Sequence, residues 1–145
     1  MNVPRDWDDH SVFLDSNVLL YAYDYSDPRK QAIGRKLVRH AAMQRWVISA
    51  QVLAEFCATR LHKFKPAANL SELTAVLARL SVLTLVTPDR ELVQRAVEAH
   101  ATYGIHFYDG MIVAAAEWAG CKRILSEDLN AGQVYFGVEV INPFA

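Results

Sequence analysis

Residues Val12–Tyr21, VFLDSNVLLY, carry a short apolar run into an aspartate and out into a second apolar run. Val12-Phe13-Leu14 has the length of a buried strand, and Val18-Leu19-Leu20-Tyr21 reads as the helix after it. Asp15 stands at the hand-over, followed by Ser16 and Asn17. Three more acids occupy comparable places along the chain. Glu55 lies one turn into a helix that follows Trp46-Val47-Ile48, Asp109 opens the apolar helix Met111–Ala116, and Asp128 follows Arg123-Ile124-Leu125-Ser126.

Working outward, strands are predicted over 12–15, 46–49, 82–86, 123–126 and 138–141, with helical patterns between them. Alternation of this kind predicts an α/β fold with a mostly parallel sheet of about five strands, covered on both faces. The helix ends are readable. Asp27-Pro28 sets a cap before a first-turn proline and starts a helix to about Met43. Ser49 caps a helix from Ala50 to about Lys63, and Ser71 starts another that ends near Leu80. Thr87-Pro88 repeats the cap-proline signal, while Gly104 and Gly120 supply stops. In a doubly wound sheet ligands bind beyond the carboxyl ends of the strands. The four acids converge on that edge.

Bulk properties narrow the classes. A chain of 145 residues, 52% hydrophobic, is long enough for one domain with a real core, preceded by a polar stretch over residues 1–10. A formal charge of -1 gives no global attraction to nucleic acid, so any such binding needs a local basic patch. Cys57 and Cys121 stand alone, without a CxxC pair, and read as reduced thiols of a cytoplasmic protein. Apolar runs are broken too soon for a membrane span, and residues 1–10 lack the layout of a signal peptide.

Each acid has an ordinary reading. Asp15 or Ser16 caps the next helix; Asp128 is a turn residue; Asp109 suits the positive end of a helix dipole. Glu55 lies beside the stripe Val52, Leu53, Phe56, Cys57 and Leu61, which leaves it open between solvent and the sheet edge. As a set they mean more. Carboxylates sharing a cleft repel one another, and a divalent ion removes that repulsion. All-oxygen ligation suits Mg²⁺ or Mn²⁺, which activate water and stabilise phosphoryl oxygens during displacement. Ser16, Asn17 and Ser126 are candidates to orient the ion's waters.

Three segments, FLDSNVLLYAYD from Phe13, ISAQVLAEFCATR from Ile48 and YDGMIVAAAEWAGCKRILSEDL from Tyr108, carry a resemblance to a known family. In order and spacing they resemble the PIN-domain nucleases, VapC-type toxins of type II toxin–antitoxin pairs above all. The likeness extends from about residue 11 to 142. It implies a three-layer α/β/α sandwich and a Mg²⁺- or Mn²⁺-dependent ribonuclease whose products carry 5′-phosphate and 3′-hydroxyl ends. Asp15, Glu55 and Asp109 match the first three family acids, and Asp128 the more variable fourth, as catalytic and metal-holding groups. The likeness thereby makes Glu55 a ligand. Asn17 and Ser126 match polar positions near the metal. Gly110 stands where the family often has alanine, and His106 where a small polar residue is common. The resemblance also implies an antitoxin that blocks the site, and a homodimer.

The densest basic run is on the helix from Pro28, with Arg29, Lys30, Arg35, Lys36 and Arg39. Arg29 and Lys30, with Tyr108 as a stacking ring, are the candidate RNA contacts. A second cluster, Arg60, His62, Lys63 and Lys65, lies toward the far end of its helix and is expected to be too distant. His100 continues the stripe Val93, Val97 and reads as a packing residue. Two rival functions are carried forward. One is a non-catalytic RNA- or protein-binding module on the same fold. The other is an aspartyl phosphatase using Asp15 as nucleophile, weakened because Asn17 stands where that chemistry wants a second acid.

Overall fold

In the computed structural model, which describes residues 2–8 and 11–145, a six-stranded sheet runs through the chain. Its strands are β1 (Val12–Leu14), β2 (Val47–Ser49), β3 (Thr84–Val86), β4 (Arg123–Leu125), β5 (Val134–Tyr135) and β6 (Val138–Ile141). Their spatial order is β3-β2-β1-β4-β6-β5, parallel throughout except for the antiparallel β5–β6 pair. Val12, Phe13 and Leu14 are fully buried, as expected of a central strand covered on both faces. Five strands fall where the sequence predicts them. β5 is additional: Phe136 and Gly137, at φ 47° and 79°, turn the chain back so that a two-residue strand pairs with β6. Positive φ at both central residues suits a tight hairpin.

The helices are α1 (Ser16–Ala22), α2 (Pro28–Gln44), α3 (Ala50–His62), α4 (Leu70–Leu80), α5 (Arg90–Tyr103) and α6 (Phe107–Trp118). α1 packs on α2 and α3, whereas α5 packs on α6, which lies against β2, β4 and β6. The predicted caps Asp27 and Ser49 accept from the backbone N–H of Lys30 and Val52. Two others shift. α4 is capped by Asn69 rather than starting at Ser71, and α5 by Asp89 rather than by the Thr87-Pro88 pair. In both, a residue with a side-chain acceptor three positions before a free N–H takes the role.

The buried face of α5 is also not the expected one. Leu92, Ala96 and Ala99 point inward, leaving Val93, Val97 and His100 exposed, with His100 Nδ1 hydrogen-bonded to the Ile105 carbonyl at 2.7 Å. Small residues on that face allow close approach. A Cβ at Gly110 would lie 2.7 Å from the Ala96 carbonyl oxygen, so alanine at that position clashes with α5. At the N-terminus, Met1, Asp9 and His10 of the polar stretch lie outside the described residues. Trp7 within that stretch is buried, its ring 6.1 Å from that of Trp46, and Asp6 pairs with Arg123 at 2.9 Å. Among the described residues no helix is long and apolar enough to cross a membrane.

Candidate active site

Strand order reverses around β1: the chain goes from β1 outward to β2 and β3, then returns to β4 on the other side. Carboxyl ends of strands flanking such a reversal splay apart and leave a crevice. Asp15 ends β1 there. Its backbone N–H bonds the Leu125 carbonyl of β4 at 3.1 Å, and its Oδ1 caps α1 by accepting from Ser16 N at 2.8 Å. The capping reading is therefore correct for Asp15, but it occupies one oxygen. The other, Oδ2, accepts from Ser126 Oγ at 2.8 Å and from Asn17 Nδ2 at 3.4 Å.

Ser126 is fully buried just beyond β4 and fixes the loop behind it. While donating to Asp15, its hydroxyl accepts from the N–H groups of Asp128 and Leu129, at 3.1 and 3.2 Å. Asn17 spans the same gap, donating to Asp128 Oδ2 at 3.2 Å and accepting from Glu127 N at 3.1 Å. Glu55 is half-buried on α3. Ser16 Oγ donates to its Oε2 at 3.1 Å and Gln51 Nε2 to its Oε1 at 2.8 Å. The second Gln51 contact, to the Tyr108 carbonyl at 3.1 Å, ties α3 to the first turn of α6, where Asp109 sits half-buried.

Electrostatics join all four acids. Burial pushes the Asp15 carboxyl up to about 6; its hydrogen bonds from Ser126 and Ser16 oppose this, and the charges of Glu55 and Asp128 add to it. Asp109 is likewise raised, by burial first and then by Glu55 and Asp128, against the lowering effect of His106. Among the described residues the ion pairs are Lys30–Glu127, Arg60–Glu72, Arg95–Glu98, Arg95–Glu117 and Arg123–Asp6. None involves Asp15, Glu55, Asp109 or Asp128. A crowd of carboxylates outside all of these ion pairs fits a hard divalent cation. Its side chains do not form a closed cage: among the described residues no three His, Cys, Asp or Glu groups are already disposed to hold an ion.

The candidate RNA contacts fare differently. Arg29 Nη2 bonds the Phe144 carbonyl at 2.5 Å, and Lys30 Nζ meets Glu127 at 2.5 Å and the Tyr21 hydroxyl at 3.2 Å. Both cations are engaged within the protein and fasten the C-terminal segment and the 127–129 loop. Tyr108 is 57% exposed, its ring 5.8 Å from that of His106, which caps α6. Of the cluster expected to be too distant, His62 and Lys63 come to the acids. One cleft is lined by Ser16, Glu55 and Asp128 together with His62 and Lys63. The two ends share a face of α3 because residues 55, 58, 59 and 62 repeat at helical spacing, about 10 Å from first to last. Gln51 and Glu127 went unread in the sequence. The signal for Gln51 was its place four residues before Glu55, on the same helix face.

A model of the PIN domain matches residues 12–137 of the chain. No curated protein gives a match. Among solved structures, VapC20 of Mycobacterium tuberculosis, a sarcin–ricin loop cleaving toxin, is similar with a TM-score of 0.63 and 18% identity, over 89% of this chain and 99% of that one. FitAcB from Neisseria gonorrhoeae gives 0.61 and 19%, over 92% and 98% of the two chains. FitAB bound to a DNA fragment gives 0.63 and 19%, over 92% and 96%. At such identities the likeness is one of fold, and it agrees with the mostly parallel sheet and its packed helices. A match spanning β1 to the β5–β6 turn, with the acid-lined crevice inside it, makes this chain a member of the PIN domain family.

Proposed function

We propose that this chain is a single-domain, divalent-metal-dependent endoribonuclease, the toxin of a type II toxin–antitoxin pair, acting in the cytoplasm. The observation that carries the reading is the set Asp15, Glu55, Asp109 and Asp128, gathered at one crevice with none of the ion pairs among the described residues directed at them. These four would hold Mg²⁺ or Mn²⁺, directly or through water. Such an ion supplies positive charge for the phosphoryl oxygens and acidifies water for attack.

The chain's own residues prepare the site. Ser16, Ser126 and Asn17 occupy both oxygens of Asp15, so its orientation is fixed before a ligand arrives. Ser126 and Asn17 also hold Asp128, and Gln51 holds Glu55. Supporting groups of this kind set ligand geometry, and their loss commonly lowers metal affinity or activity by about 10–100-fold. Tyr108, exposed beside Asp109, offers a ring for an unpaired base. VapC20, which cleaves the sarcin–ricin loop, supports RNA as substrate; an antitoxin partner and a homodimer follow from the family resemblance.

The test is cleavage of RNA with Mg²⁺ or Mn²⁺, with EDTA, and by Asp15→Asn. Cleavage that survives both EDTA and the substitution sinks the metal-site reading. A non-catalytic module would bind RNA without metal uptake or cleavage. The phosphatase reading is disfavoured because Asn17 stands where that chemistry wants a second acid.

A further inference from the structure

Asp128 divides one groove into two unlike arms. The first is a cleft of about 480 Å³ that leads from Ser16, Glu55 and Asp128 to His62 and Lys63. A neighbouring cleft, sharing Lys63, extends it to Phe64, Lys65 and Asp24. The second arm, about 370 Å³, leads from Asp109 and Asp128 to Asn130, Gln133, Tyr103 and Tyr135.

Their chemistry differs. Lys63 and Lys65 are exposed, and neither is in an ion pair among the described residues. Asp24, which lines the cleft with them, has its Oδ1 taken by the N–H and hydroxyl of Ser26 at 2.9 and 2.6 Å. Half-buried Phe64 sits between the two lysines in sequence, with the Arg60 guanidinium 5.0 Å from its ring. Among the described residues no lysine, arginine or histidine lines the second arm. It offers amides and phenols instead. The Asn130 amide reaches the Tyr135 hydroxyl only at 3.5 Å, and Gln133 is exposed.

A strand whose scissile phosphate lies at the acids must send its flanking phosphates somewhere. In the second arm they would face Asp109 and Asp128 with no cation in compensation, whereas the first arm supplies two lysines. An amide presents donor and acceptor together, which is what the hydrogen-bonding edge of an unpaired base requires. Paired bases in an RNA helix cannot offer that edge, so the substrate must be single-stranded where it crosses the groove.

On the ribonuclease reading given above, we infer that Lys63 and Lys65 hold the phosphates of single-stranded RNA, while Asn130 and Gln133 read its bases on the far side of the acids. The test compares three variants of the whole chain on single-stranded RNA libraries over a range of salt. Lys63→Ala with Lys65→Ala is expected to raise KM about tenfold for every sequence, more than it changes kcat. It should also reduce the slope of log affinity against log salt by about 1.4, at about 0.7 per lost phosphate contact. Asn130→Ala with Gln133→Ala should leave that slope in place and weaken base preference about tenfold at one or two positions. Lys122→Ala, at the opposite end of β4, should change neither. An active wild type whose KM and salt slope ignore the lysine pair, or whose base preference ignores the amide pair, overturns the assignment. A wild type that fails to cleave RNA with Mg²⁺ or Mn²⁺ removes the ribonuclease reading itself, and that result appears without any variant.

Discussion

The two ends of α6 hold acids in opposite circumstances. Near its C-terminal end Glu117 is met by Arg95 through two parallel hydrogen bonds of 2.8 Å, and Arg95 also takes Glu98 at 2.7 Å. The guanidinium further stacks 3.5 Å from the Phe136 ring centroid. In the first turn of the same helix, Asp109 is in no ion pair among the described residues, and burial raises its pKa against the lowering effect of His106. Where an acid serves the fold, the fold neutralises it. Where it lines the crevice, no ion pair among the described residues meets it, and burial disfavours its charged form.

The largest test of that contrast is activity. Asp109→Asn should lower kcat/KM for RNA on the order of 10²–10³-fold, the scale of losing one preorganised electrostatic group. Glu117→Gln should leave it within about threefold, because it lies outside the crevice. Comparable losses in both would erase the distinction.

Next in size is the pH dependence of stability. The Asp15 carboxyl stands at about 6 against an ordinary 3.8, so the fold favours its protonated form. That contribution is complete below about pH 4 and is lost as pH rises through 6. About two pKa units correspond to roughly 3 kcal/mol. In EDTA, urea midpoints of the wild type should therefore fall relative to those of Asp15→Asn between about pH 4 and 7. Parallel profiles would show that Asp15 bears no burial penalty.

Gly110→Ala is expected to destabilise by about 1–3 kcal/mol, the usual range for overpacking, since its Cβ would strike the Ala96 carbonyl. Thermal unfolding measures this. A neutral result would mean that α5 and α6 separate easily. The smallest effect belongs to the satisfied acid: Glu117→Gln should cost under about 1 kcal/mol, because the pair is partly exposed and screened by solvent.

How much of this was legible follows the range of the interactions. Asp27 and Ser49 were readable because their caps are decided by residues three apart, and Asp15 because its cap bond is to the next residue. The acids were readable as a set because parallel strands bring their carboxyl ends to one edge. β5 was not, since Val134–Tyr135 forms a strand only by pairing with β6, and two residues carry no period. On α5 two stripes competed. Val93, Val97 and His100 looked the more apolar by bulk, but close packing against Gly110 selected Leu92, Ala96 and Ala99. The reach of Lys63 toward the acids was hidden for a related reason: chain distance from Glu55 says nothing of which face α3 turns to the groove. Arg29 and Lys30 formed the denser run, yet their partners, Phe144 and Glu127, lie about 100 residues away.

On the proposed reading the crevice acids hold a divalent cation that the fold does not replace. Calorimetric titration of Mn²⁺ into wild type, Asp15→Asn and Glu117→Gln measures this. Wild type and Glu117→Gln should bind saturably, and Asp15→Asn should not. Equal binding by all three, or RNA cleavage by a wild type that takes up no metal, would contradict it.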